Sequence, residues 1–370
     1  ENKLKKYWNN NLDNKKILIT GATGFIGSHL TELLVNEGYN VIAFDRYNPN
    51  NNWGWLEESS ITKDVKVVLG DIRDYDSVYK VMKGCNAVFH LAALIGIPYS
   101  YSSPIAYVRT NIEGTYNVLE AAKNLNLEQI LITSTSETYG TAQYTPIDEQ
   151  HPMVGQSPYA ATKIAADQLA ISYFKSFELP VKVIRPFNTY GPRQSARAII
   201  PTIISQILSG NNEITLGNLN PTRDLTYVID TCQGFLASYK SNALFGTATN
   251  IGMNSEISIG DLTKLIAHSL DSEISIKVSA ERIRPGSSEV ERLVCDNSKL
   301  QKQTSWKPNY TLEQGLSEVI EWMKNPNNLG IYKWQLPNEP TDNLQIRLIG
   351  RNSYGYSDTT EVNNIYLNIA

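Results

Sequence analysis

Residues 17–30 read ILITGATGFIGSHL, which is an apolar run, a glycine-rich turn and the beginning of a helical pattern. Gly21, Gly24 and Gly27 have the spacing G-x-x-G-x-x-G. Glycines at such spacing permit a tight strand-to-helix turn, in which backbone N–H groups can approach a pyrophosphate at the helix N-terminus. A glycine triplet alone also fits an ordinary turn, so the interpretation depends on the pattern that follows.

The pattern after this turn alternates short apolar runs with helical periodicity. The predicted strands are Lys16–Thr20, Asn40–Phe44, Val65–Leu69, Ala87–Leu91, Gln129–Thr133 and Val181–Arg185. The predicted helices are Ile26–Glu37, Tyr75–Met82, Tyr107–Asn124 and Tyr159–Phe177. Continuous apolar strands between helices indicate a parallel sheet with helices on both faces. We therefore expect an α/β fold with a doubly wound, Rossmann-type sheet.

The rhythm changes after about residue 192, where turn-rich segments separate shorter elements. We predict a polar leader (1–14) and a dinucleotide-binding domain (15–192) with a return segment at about 225–252. Segments 193–224 and 253–340 are predicted to form a smaller α/β substrate lobe. Residues 341–370 form an extension without an assigned role, with strand-like alternation at Leu344, Ile346, Leu348, Ile365, Leu367 and Ile369.

Composition excludes several classes of protein. Hydrophobic residues make up 41% and charged residues 19% of the chain, as in globular proteins with an ample core. The net charge of −4 argues against binding to nucleic acid. No apolar run is long enough to cross a membrane, and the first residues lack the apolar core of a signal peptide. Cys85, Cys232 and Cys295 are odd in number and far apart, which predicts reduced thiols in a cytoplasmic protein and no metal site.

Two aspartates follow predicted strands and are candidates for contact with a dinucleotide. Asp45 ends the second strand, at the position where a carboxylate binds the adenosine ribose. An acid there favours NAD over NADP, although Arg46 follows at once and keeps NADP open. Asp71, in GDIRD, either approaches the adenine or caps a turn or helix.

The candidate redox residues are Tyr159 and Lys163, at the beginning of a predicted helix. Their spacing of four places both on one helix face. A cation beside a phenol lowers the phenol pKa, so Tyr159 is a candidate acid/base for an alcohol. Lys163 is also a candidate to hold the nicotinamide ribose. Ser134 and Thr135 end the preceding strand.

With these motifs in place, the chain resembles the extended short-chain dehydrogenase/reductase superfamily that acts on nucleotide sugars. The matching segments are TGATGFIG, GDIRD, HLAA, NIEGTYNVLEAA, STSETYG, YAATK, RPFNTYGPRQ, RDLTYVID, NIG and Trp306-Lys307-Pro308. The resemblance implies NAD, a nucleotide-sugar substrate and a homodimer. It adds Thr23, Phe25, Ile26, Ile72, Leu91, Ala92 and Ala93 to the predicted cofactor contacts.

The same resemblance implies roles in the reaction and in substrate binding. Thr135 would hydrogen-bond the sugar O4, Tyr159 would take its proton, and Asn111 would position Lys163 through water. The implied substrate contacts are Asn188, Arg193, Arg223, Arg292 and Tyr99. Two of these also have structural interpretations, since Arg292 could pair with Glu289 or Glu291 and Tyr99 could simply pack its loop.

The tripeptide Thr135-Ser136-Glu137 points to the reaction, because 4-epimerases of the superfamily usually have Ser-Ser-Ala or Ser-Ser-Ser. Once C4 is oxidised, the C5 proton is acidic, and Glu137 could remove it so that the C6 hydroxyl leaves. We therefore predict a 4,6-dehydratase. The alternative interpretation of Glu137 is a solvent-facing residue at the end of a strand, without a role in the reaction. Ser136 replaces the Asp of dTDP-glucose dehydratases, which leaves open the acid for the departing hydroxyl.

Three rival functions remain. UDP-glucuronate decarboxylases also carry Thr-Ser-Glu, and a 4-epimerase would use the same scaffold. A redox-silent NAD-binding regulator would be expected to have lost Tyr159 or Lys163.

Segments such as YNPNNNWGWLEE and HLAALIGIPYSYSSP are similar to NAD-dependent 4,6-dehydratases of the legionaminic-acid pathway, which act on nucleotide-linked N-acetylglucosamine. The loop Leu94–Ser103 has no Lys or Arg, which favours a neutral group at C6.

Overall fold

The computed structural model describes residues 15–49, 51–325, 347–351 and 357–361. The predicted leader and most of the C-terminal extension, including Leu344, Ile346 and residues 365–369, lie outside the described residues. The described part of the extension contains two antiparallel strands, Arg347–Arg351 and Ser357–Glu361.

A parallel sheet of seven strands forms the centre of the fold. Its strands are β1 (Lys16–Thr20), β2 (Asn40–Arg46), β3 (Lys66–Gly70), β4 (Ala87–His90), β5 (Gln129–Thr133), β6 (Val181–Pro186) and β11 (Ala248–Ile251). Their order is β11-β6-β5-β4-β1-β2-β3, and every neighbouring pair is parallel. The order reverses between β1 and β4, which leaves a crevice at their carboxyl ends for a ligand. The predicted Rossmann-type fold is confirmed.

Helices and smaller strand pairs surround this sheet. The helices are α1 (Phe25–Asn36), α2 (Tyr75–Met82), α3 (Ile97–Ser102), α4 (Pro104–Tyr107), α5 (Gly114–Asn124), α6 (Pro158–Phe177), α7 (Ile199–Leu208), α8 (Val228–Lys240), α9 (Ile259–Ser269), α10 (Ser298–Gln303) and α11 (Leu312–Lys324). The pairs are β7 (Asn188–Tyr190) with β10 (Leu225–Tyr227), β8 (Glu213–Leu216) with β13 (Ser275–Val278), β9 (Thr222–Arg223) with β12 (Ile257–Ser258), and β14 (Arg347–Arg351) with β15 (Ser357–Glu361).

The sheet is buried on both faces. Successive side chains of a strand point to opposite faces, so the neighbours of adjacent residues show what covers each face. On β1, Ile17 and Ile19 belong to one hydrophobic cluster, and Leu18 belongs to the other. All three are fully buried. Burial on both faces explains why the strand reads as a continuous apolar run.

The predicted helix Tyr107–Asn124 is wrong as a single regular helix. The segment begins in α4, passes through a π-helical stretch at Val108–Glu113 and continues as α5. Periodicity could not reveal this change, because a π-helix shifts the hydrogen-bond register without interrupting the apolar pattern. Asn111 lies within this stretch and is buried. The other predicted strands and helices before residue 192 agree with the structure to within two residues at each end.

Among the described residues, no helix is both long and apolar enough to cross a membrane. The same residues contain no group of three or more His, Cys, Asp or Glu side chains that could hold a metal ion. The division into a dinucleotide-binding domain and a substrate lobe stays a prediction.

Candidate active site

The glycine turn lies at the carboxyl end of β1, beside the crevice. Gly21 has a φ of +71°, and a Cβ there would lie 2.7 Å from the Ala92 nitrogen. A Cβ at Gly27 would lie 2.0 Å from the Gly21 oxygen. Only glycine fits these two positions, because the turn packs against itself and against the chain after β4.

Gly24 differs from the other two glycines. A Cβ there would meet only the Gly21 oxygen, at 3.4 Å, so the protein leaves space beside it. Gly24 is also the N-cap of α1, which has no side-chain cap and no acidic residue in its first turn. Free N–H groups, an uncompensated helix dipole and open space are the features that a bound diphosphate requires. The turn therefore fits the pyrophosphate of a dinucleotide.

Asp45, at the end of β2, is joined to Thr23 in this turn. The Asp45 carboxylate accepts hydrogen bonds from the Thr23 backbone N–H at 2.8 Å and from the Thr23 hydroxyl at 2.6 Å. Arg46 is exposed and donates its backbone N–H to Asp45 at 2.7 Å. Asp45 thus holds the turn at the carboxyl end of β2, and its contact with a ribose stays a prediction.

Asp71 is engaged by Arg73, which sequence reasoning did not consider. The Arg73 guanidinium donates to both carboxylate oxygens, with Nε 3.0 Å from each. Burial raises the pKa of Asp71, but the hydrogen bonds and charge of Arg73 outweigh burial and leave the pKa below its ordinary value. The adjacent Ile72 is buried, and its carbonyl accepts the Asn117 amide at 3.0 Å. The cap of α2 is Asp74, so Asp71 is not a helix cap, but its Oδ1 accepts the Arg73 N–H at 2.9 Å, which supports the alternative interpretation of Asp71 as a turn residue.

The other predicted cofactor contacts lie in the segment after β4 and in the first turn of α1. The Leu91 N–H donates to the Thr20 carbonyl at 3.1 Å, and the Ala92 N–H donates to the Thr20 hydroxyl at 3.2 Å. Ala93 follows in the same segment. On the other side of the turn, Phe25 and Ile26 are partly buried against the hydrophobic core. Their side chains pack inward, so any cofactor contact would come from the backbone of the first helical turn.

His90 is the last residue of β4 and is buried. Its ring nitrogens lie 2.7 Å from the Thr20 hydroxyl and 3.1 Å from the Thr115 hydroxyl. Burial lowers the pKa of His90 to about 3, with a further contribution from the charge of Lys163. His90 is therefore neutral and held in place by two threonines.

The Thr135–Glu137 segment forms a tight turn after β5. Thr135 is the cap of a 3₁₀ turn at Ser136–Tyr139, and its hydroxyl accepts the Glu137 N–H at 3.2 Å. Both Ser136 and Glu137 are buried. The interpretation of Glu137 as a solvent-facing residue is therefore wrong.

Tyr159 and Lys163 lie in the first turns of α6, next to this segment. Both are buried. The Lys163 ammonium donates to the Thr133 carbonyl at 2.5 Å. Thr135 and Glu137 both lie close enough to Tyr159 to affect its pKa, which Thr135 lowers and Glu137 raises. The structure thus brings Thr135, Glu137, Tyr159 and Lys163 together from two elements.

The expected effect of Lys163 on Tyr159 is not what the structure gives. Burial raises the pKa of Tyr159, and Lys163 is not among the groups that oppose the increase. Burial also lowers the pKa of Lys163, to about 8. Removing either group from water disfavours its charged form, and this cost exceeds the attraction between them.

Asn111 contacts the neighbour of Lys163 in the described structure. Its amide nitrogen donates to the Thr162 hydroxyl at 3.1 Å and to the Leu94 carbonyl at 3.0 Å, and its Oδ1 accepts the Leu94 N–H at 2.9 Å. These bonds join the π-helical stretch, α6 and the segment after β4. The predicted link to Lys163 through water stays a prediction.

Charged groups from distant segments surround Glu137. Burial raises the pKa of Glu137, while Arg223 and Arg284 lower it and Glu289 raises it. Arg223 pairs with Glu289 at 3.1 Å, and Arg284 approaches the same oxygen at 3.6 Å. The Nη1 atom of Arg284 is buried without a hydrogen-bond partner in the described structure. We call Glu137, Arg223, Arg284 and Glu289 the charged cluster.

Arg284 was missed by sequence reasoning, and Glu289 was considered only as a possible partner of Arg292. Each lies more than 60 residues beyond the predicted Arg223, and no local pattern links the three. Arg284 lies within ERIRPGSSEV, where the arginine beside Pro285 and Gly286 was the available signal.

The other predicted substrate contacts divide into two groups, of which Asn188 and Tyr99 form the first and Arg193 and Arg292 form the second. Asn188 has a buried Oδ1 without a hydrogen-bond partner in the described structure, which fits an unfilled role toward a ligand. The ring of Tyr99 lies 6.1 Å from that of Tyr107, which in turn lies 6.3 Å from that of Tyr159. Tyr99 is half exposed, so it both packs its loop and remains accessible from the site.

Arg193 and Arg292 are not brought into the charged cluster. Arg193 binds Glu32 at 2.8 Å and Ser28 at 3.1 Å on α1, far along the chain from the Thr135–Glu137 turn. Arg292 pairs with Glu256 and not with Glu289 or Glu291, which corrects the expected partner. In the described structure both guanidinium groups already have carboxylate partners, and neither was predictable from neighbouring residues.

Comparison with known proteins identifies the family. The sequence profile of the GDP-mannose 4,6 dehydratase family matches residues 18–319. A putative UDP-glucose 4-epimerase from Methanocaldococcus jannaschii is 32% identical over 316 residues, which are 84% of this chain and 99% of that protein. A UDP-N-acetyl-alpha-D-glucosaminuronate decarboxylase from Bacillus cytotoxicus is 32% identical over 325 residues, covering 85% of this chain and 99% of that protein.

A solved structure agrees with this relationship. The dTDP-glucose 4,6-dehydratase from Streptomyces venezuelae, solved with NAD bound, has a TM-score of 0.76 and 26% identity, covering 84% of this chain and 98% of that chain. Together with the fit of the glycine turn, these similarities establish NAD as the cofactor. The chain belongs to the GDP-mannose 4,6-dehydratase family, within the NAD-dependent extended short-chain dehydrogenases/reductases that act on nucleotide sugars.

Proposed function

We propose that the protein is a nucleotide-sugar 4,6-dehydratase, which converts a UDP- or GDP-linked hexose to its 4-keto-6-deoxy form. The observation that carries this proposal is the buried carboxylate of Glu137, next to Thr135 and close to Tyr159. N-acetylglucosamine is the hexose that we propose, on the resemblance to dehydratases that use it.

The described residues can be assigned to successive proton transfers. Thr135 holds the O4 hydroxyl, and Tyr159 takes its proton as C4 becomes a ketone. NAD supplies the hydride acceptor at C4 and the hydride donor at C6. Tyr159 must be a phenolate to take this proton, and Lys163 does not offset the increase of its pKa by burial. We therefore assign the lowering of that pKa to the positive charge that bound NAD would bring beside Tyr159, and we assign Lys163 to the nicotinamide ribose.

Glu137 then removes the C5 proton, which the C4 ketone makes acidic. Burial raises the pKa of Glu137, so its carboxylate is a stronger base than an exposed one. The C6 hydroxyl leaves with a proton as water, and a proton returns to C5 when C6 is reduced. Ser136 is buried in the same turn, and we assign it to the leaving hydroxyl together with the protonated Glu137.

The positive members of the charged cluster suit an anionic part of the substrate. Arginine is well matched to phosphate oxygens because its planar fork donates paired hydrogen bonds. We assign Arg223 and Arg284, together with Asn188, to the diphosphate side of the substrate. In this assignment the Nη1 atom of Arg284, which lacks a hydrogen bond in the described structure, donates to a diphosphate oxygen, whereas Oδ1 of Asn188 is an acceptor and takes a hydroxyl or N–H group of the substrate.

One observation favours a second candidate, a UDP-glucuronate decarboxylase. The sequence argument against a C6 carboxylate was the lack of Lys or Arg in the loop Leu94–Ser103. Arg223 and Arg284 come from other segments and lie close enough to Glu137 to affect its charge. Either could hold a C6 carboxylate, and the relative from Bacillus cytotoxicus bears the name of a decarboxylase.

A panel of nucleotide sugars separates these candidates. The purified protein is incubated separately with UDP-N-acetylglucosamine, UDP-glucose, GDP-mannose and UDP-glucuronate, and the products are weighed by mass spectrometry. The proposal predicts loss of water from a neutral sugar. Loss of carbon dioxide from the glucuronate supports the decarboxylase, and isomerisation without a change of mass supports a 4-epimerase.

We also propose that the protein acts as a homodimer in the cytoplasm. Ile105, Val108 and Tyr116 are exposed apolar side chains along the α4–α5 segment, which contacts α6. A second copy related by a two-fold axis would cover this face. Light scattering of the purified protein tests the dimer, and a monomer mass at micromolar concentration would contradict it.

A further inference from the structure

Asp167 lies one helical turn after Lys163 on α6 and is completely buried. Its Oδ2 atom accepts the Ser134 hydroxyl at 2.8 Å and the Arg185 Nε–H at 3.0 Å. The second guanidinium nitrogen of Arg185 lies 2.9 Å from the same oxygen. A fully buried carboxylate with three donors on one oxygen indicates a specific electrostatic role.

These partners connect Asp167 to the turn that carries Glu137. Ser134 immediately precedes Thr135 in the chain. Arg185 also donates to the Tyr139 hydroxyl at 2.9 Å, and Tyr139 ends the 3₁₀ turn that contains Glu137. The helix that carries Asp167 also carries Tyr159 and Lys163. One buried ion pair therefore joins the elements assigned to oxidation and to elimination.

The charge of Asp167 follows from its surroundings. Burial raises its pKa, while Arg185, Ser134 and Lys163 oppose that increase. Arg185 is itself buried, and Asp167 is its carboxylate partner in the described structure. Because an unpaired buried guanidinium would cost several kcal/mol, Asp167 is ionised.

The negative charge of Asp167 acts on Lys163. The Oδ1 atom of Asp167 is buried without a hydrogen bond in the described structure, so the carboxylate keeps unshared acceptor capacity. Residues four apart on a helix are neighbours, which places Asp167 beside the Lys163 stem. Asp167 is the group that opposes the lowering of the Lys163 pKa by burial.

Among the described residues, Asp167 is the titratable group that raises the pKa of Lys163, and the others nearby do not. His90 on β4 is neutral because of its burial. Tyr159 on α6 is a phenol whose pKa burial raises. Arg185 on β6 is positive and lies behind Asp167, and Glu137 in the turn faces Arg223 and Arg284.

We propose that Asp167 is a positioning residue that keeps Lys163 protonated and fixes the Thr135–Glu137 turn against α6. Its consequence for catalysis rests on the proposed function, because Lys163 is assigned to the nicotinamide ribose in that reaction. Its effect on the charge of Lys163 does not depend on the substrate.

The test measures the titration of Lys163 by NMR in protein labelled with ¹³C at lysine Cε, with the resonance assigned by its loss in Lys163→Met. Asp167→Asn keeps the side-chain shape and removes the charge. Loss of an opposite charge at close range should lower the Lys163 midpoint by about 1 to 3 pH units. Ser134→Ala removes a hydrogen bond to the same oxygen but keeps the charge, so its midpoint should stay close to that of the wild type.

A second variant covers the risk that Asp167→Asn unfolds because Arg185 loses its partner. The double variant Asp167→Asn with Arg185→Gln removes both charges and should show a smaller downward shift, because loss of the Arg185 charge opposes the loss of Asp167. An unchanged Lys163 midpoint in folded Asp167→Asn, or an upward shift in the double variant, would overturn the proposal. So would a wild-type midpoint below neutral pH, which needs no variant.

Activity provides the independent arm. Asp167→Asn should lower kcat for C4 oxidation more than it changes KM, and the loss of activity at high pH should begin at lower pH. Failure of the wild-type protein to act on any sugar of the panel would count against the proposed function alone. An unchanged NMR titration would count against the role of Asp167 alone.

Discussion

Replacement of Glu137 by glutamine is the most informative single substitution in this site. Glutamine has nearly the same shape, so the buried turn and the hydrogen bond from the Glu137 N–H to Thr135 should persist. Arg223 keeps its pair with Glu289 at 3.1 Å, which limits the cost to stability. Thr135, Tyr159 and Lys163 remain in place, so the protein should still oxidise C4.

The expected loss falls on elimination. Removal of a general base typically slows its step by about 10²- to 10⁴-fold, which is about 2.7 to 5.4 kcal/mol of transition-state stabilisation. Under single-turnover conditions, the absorbance of the reduced nicotinamide should rise and persist. Product without the C6 hydroxyl should form only slowly.

The matched control is Glu149→Gln. Burial also raises the pKa of Glu149, but its carboxylate accepts the Asn250 N–H at 2.8 Å, away from Tyr159. Its elimination rate should stay close to that of the wild type. If Glu137→Gln eliminates water as fast as this control, another group removes the C5 proton and the assignment of Glu137 is refuted.

Three further predictions concern the cofactor, the pH dependence and the charged cluster. Gly24→Ala should fold normally but bind NAD at least about tenfold more weakly, as NAD titration would show. Gly27→Ala should lower the free energy of unfolding by about 1–3 kcal/mol, as calorimetry would show. Turnover should fall as the pH rises through about 8, where Lys163 loses its proton, and as it drops through the raised pKa of Glu137; a high-pH limit at the ordinary lysine value of 10.5 would contradict this. Arg284→Gln should raise KM for the nucleotide sugar by about tenfold or more with a smaller change in kcat, and an unchanged KM would remove Arg284 from the substrate site.

Local patterns were sufficient to predict the part of the fold that positions the cofactor. β1 and the glycine turn follow from an apolar run and from positions where a Cβ cannot fit. Thr135, Glu137, Tyr159 and Lys163 could be nominated because each lies at a strand end or on a helix face. Their burial was not predictable, and burial decides the pKa of Tyr159 and Lys163.

Interactions between distant segments could not be predicted in the same way. The Arg292–Glu256 and Arg193–Glu32 pairs join residues that share no motif. Arg284 reaches Glu137 only because the chain folds back across the site. The π-helical stretch around Asn111 was hidden because hydrogen-bond register leaves no mark on apolar periodicity.

The most direct test of the central claim is the reaction of the wild-type protein with UDP-N-acetylglucosamine in deuterated water. A dehydratase that uses Glu137 as the C5 base should yield a 4-keto-6-deoxy product that has lost water and carries solvent deuterium at C5, as mass spectrometry and NMR would show. Unchanged mass with inversion at C4, or turnover of UDP-glucuronate alone with loss of carbon dioxide, would contradict the account.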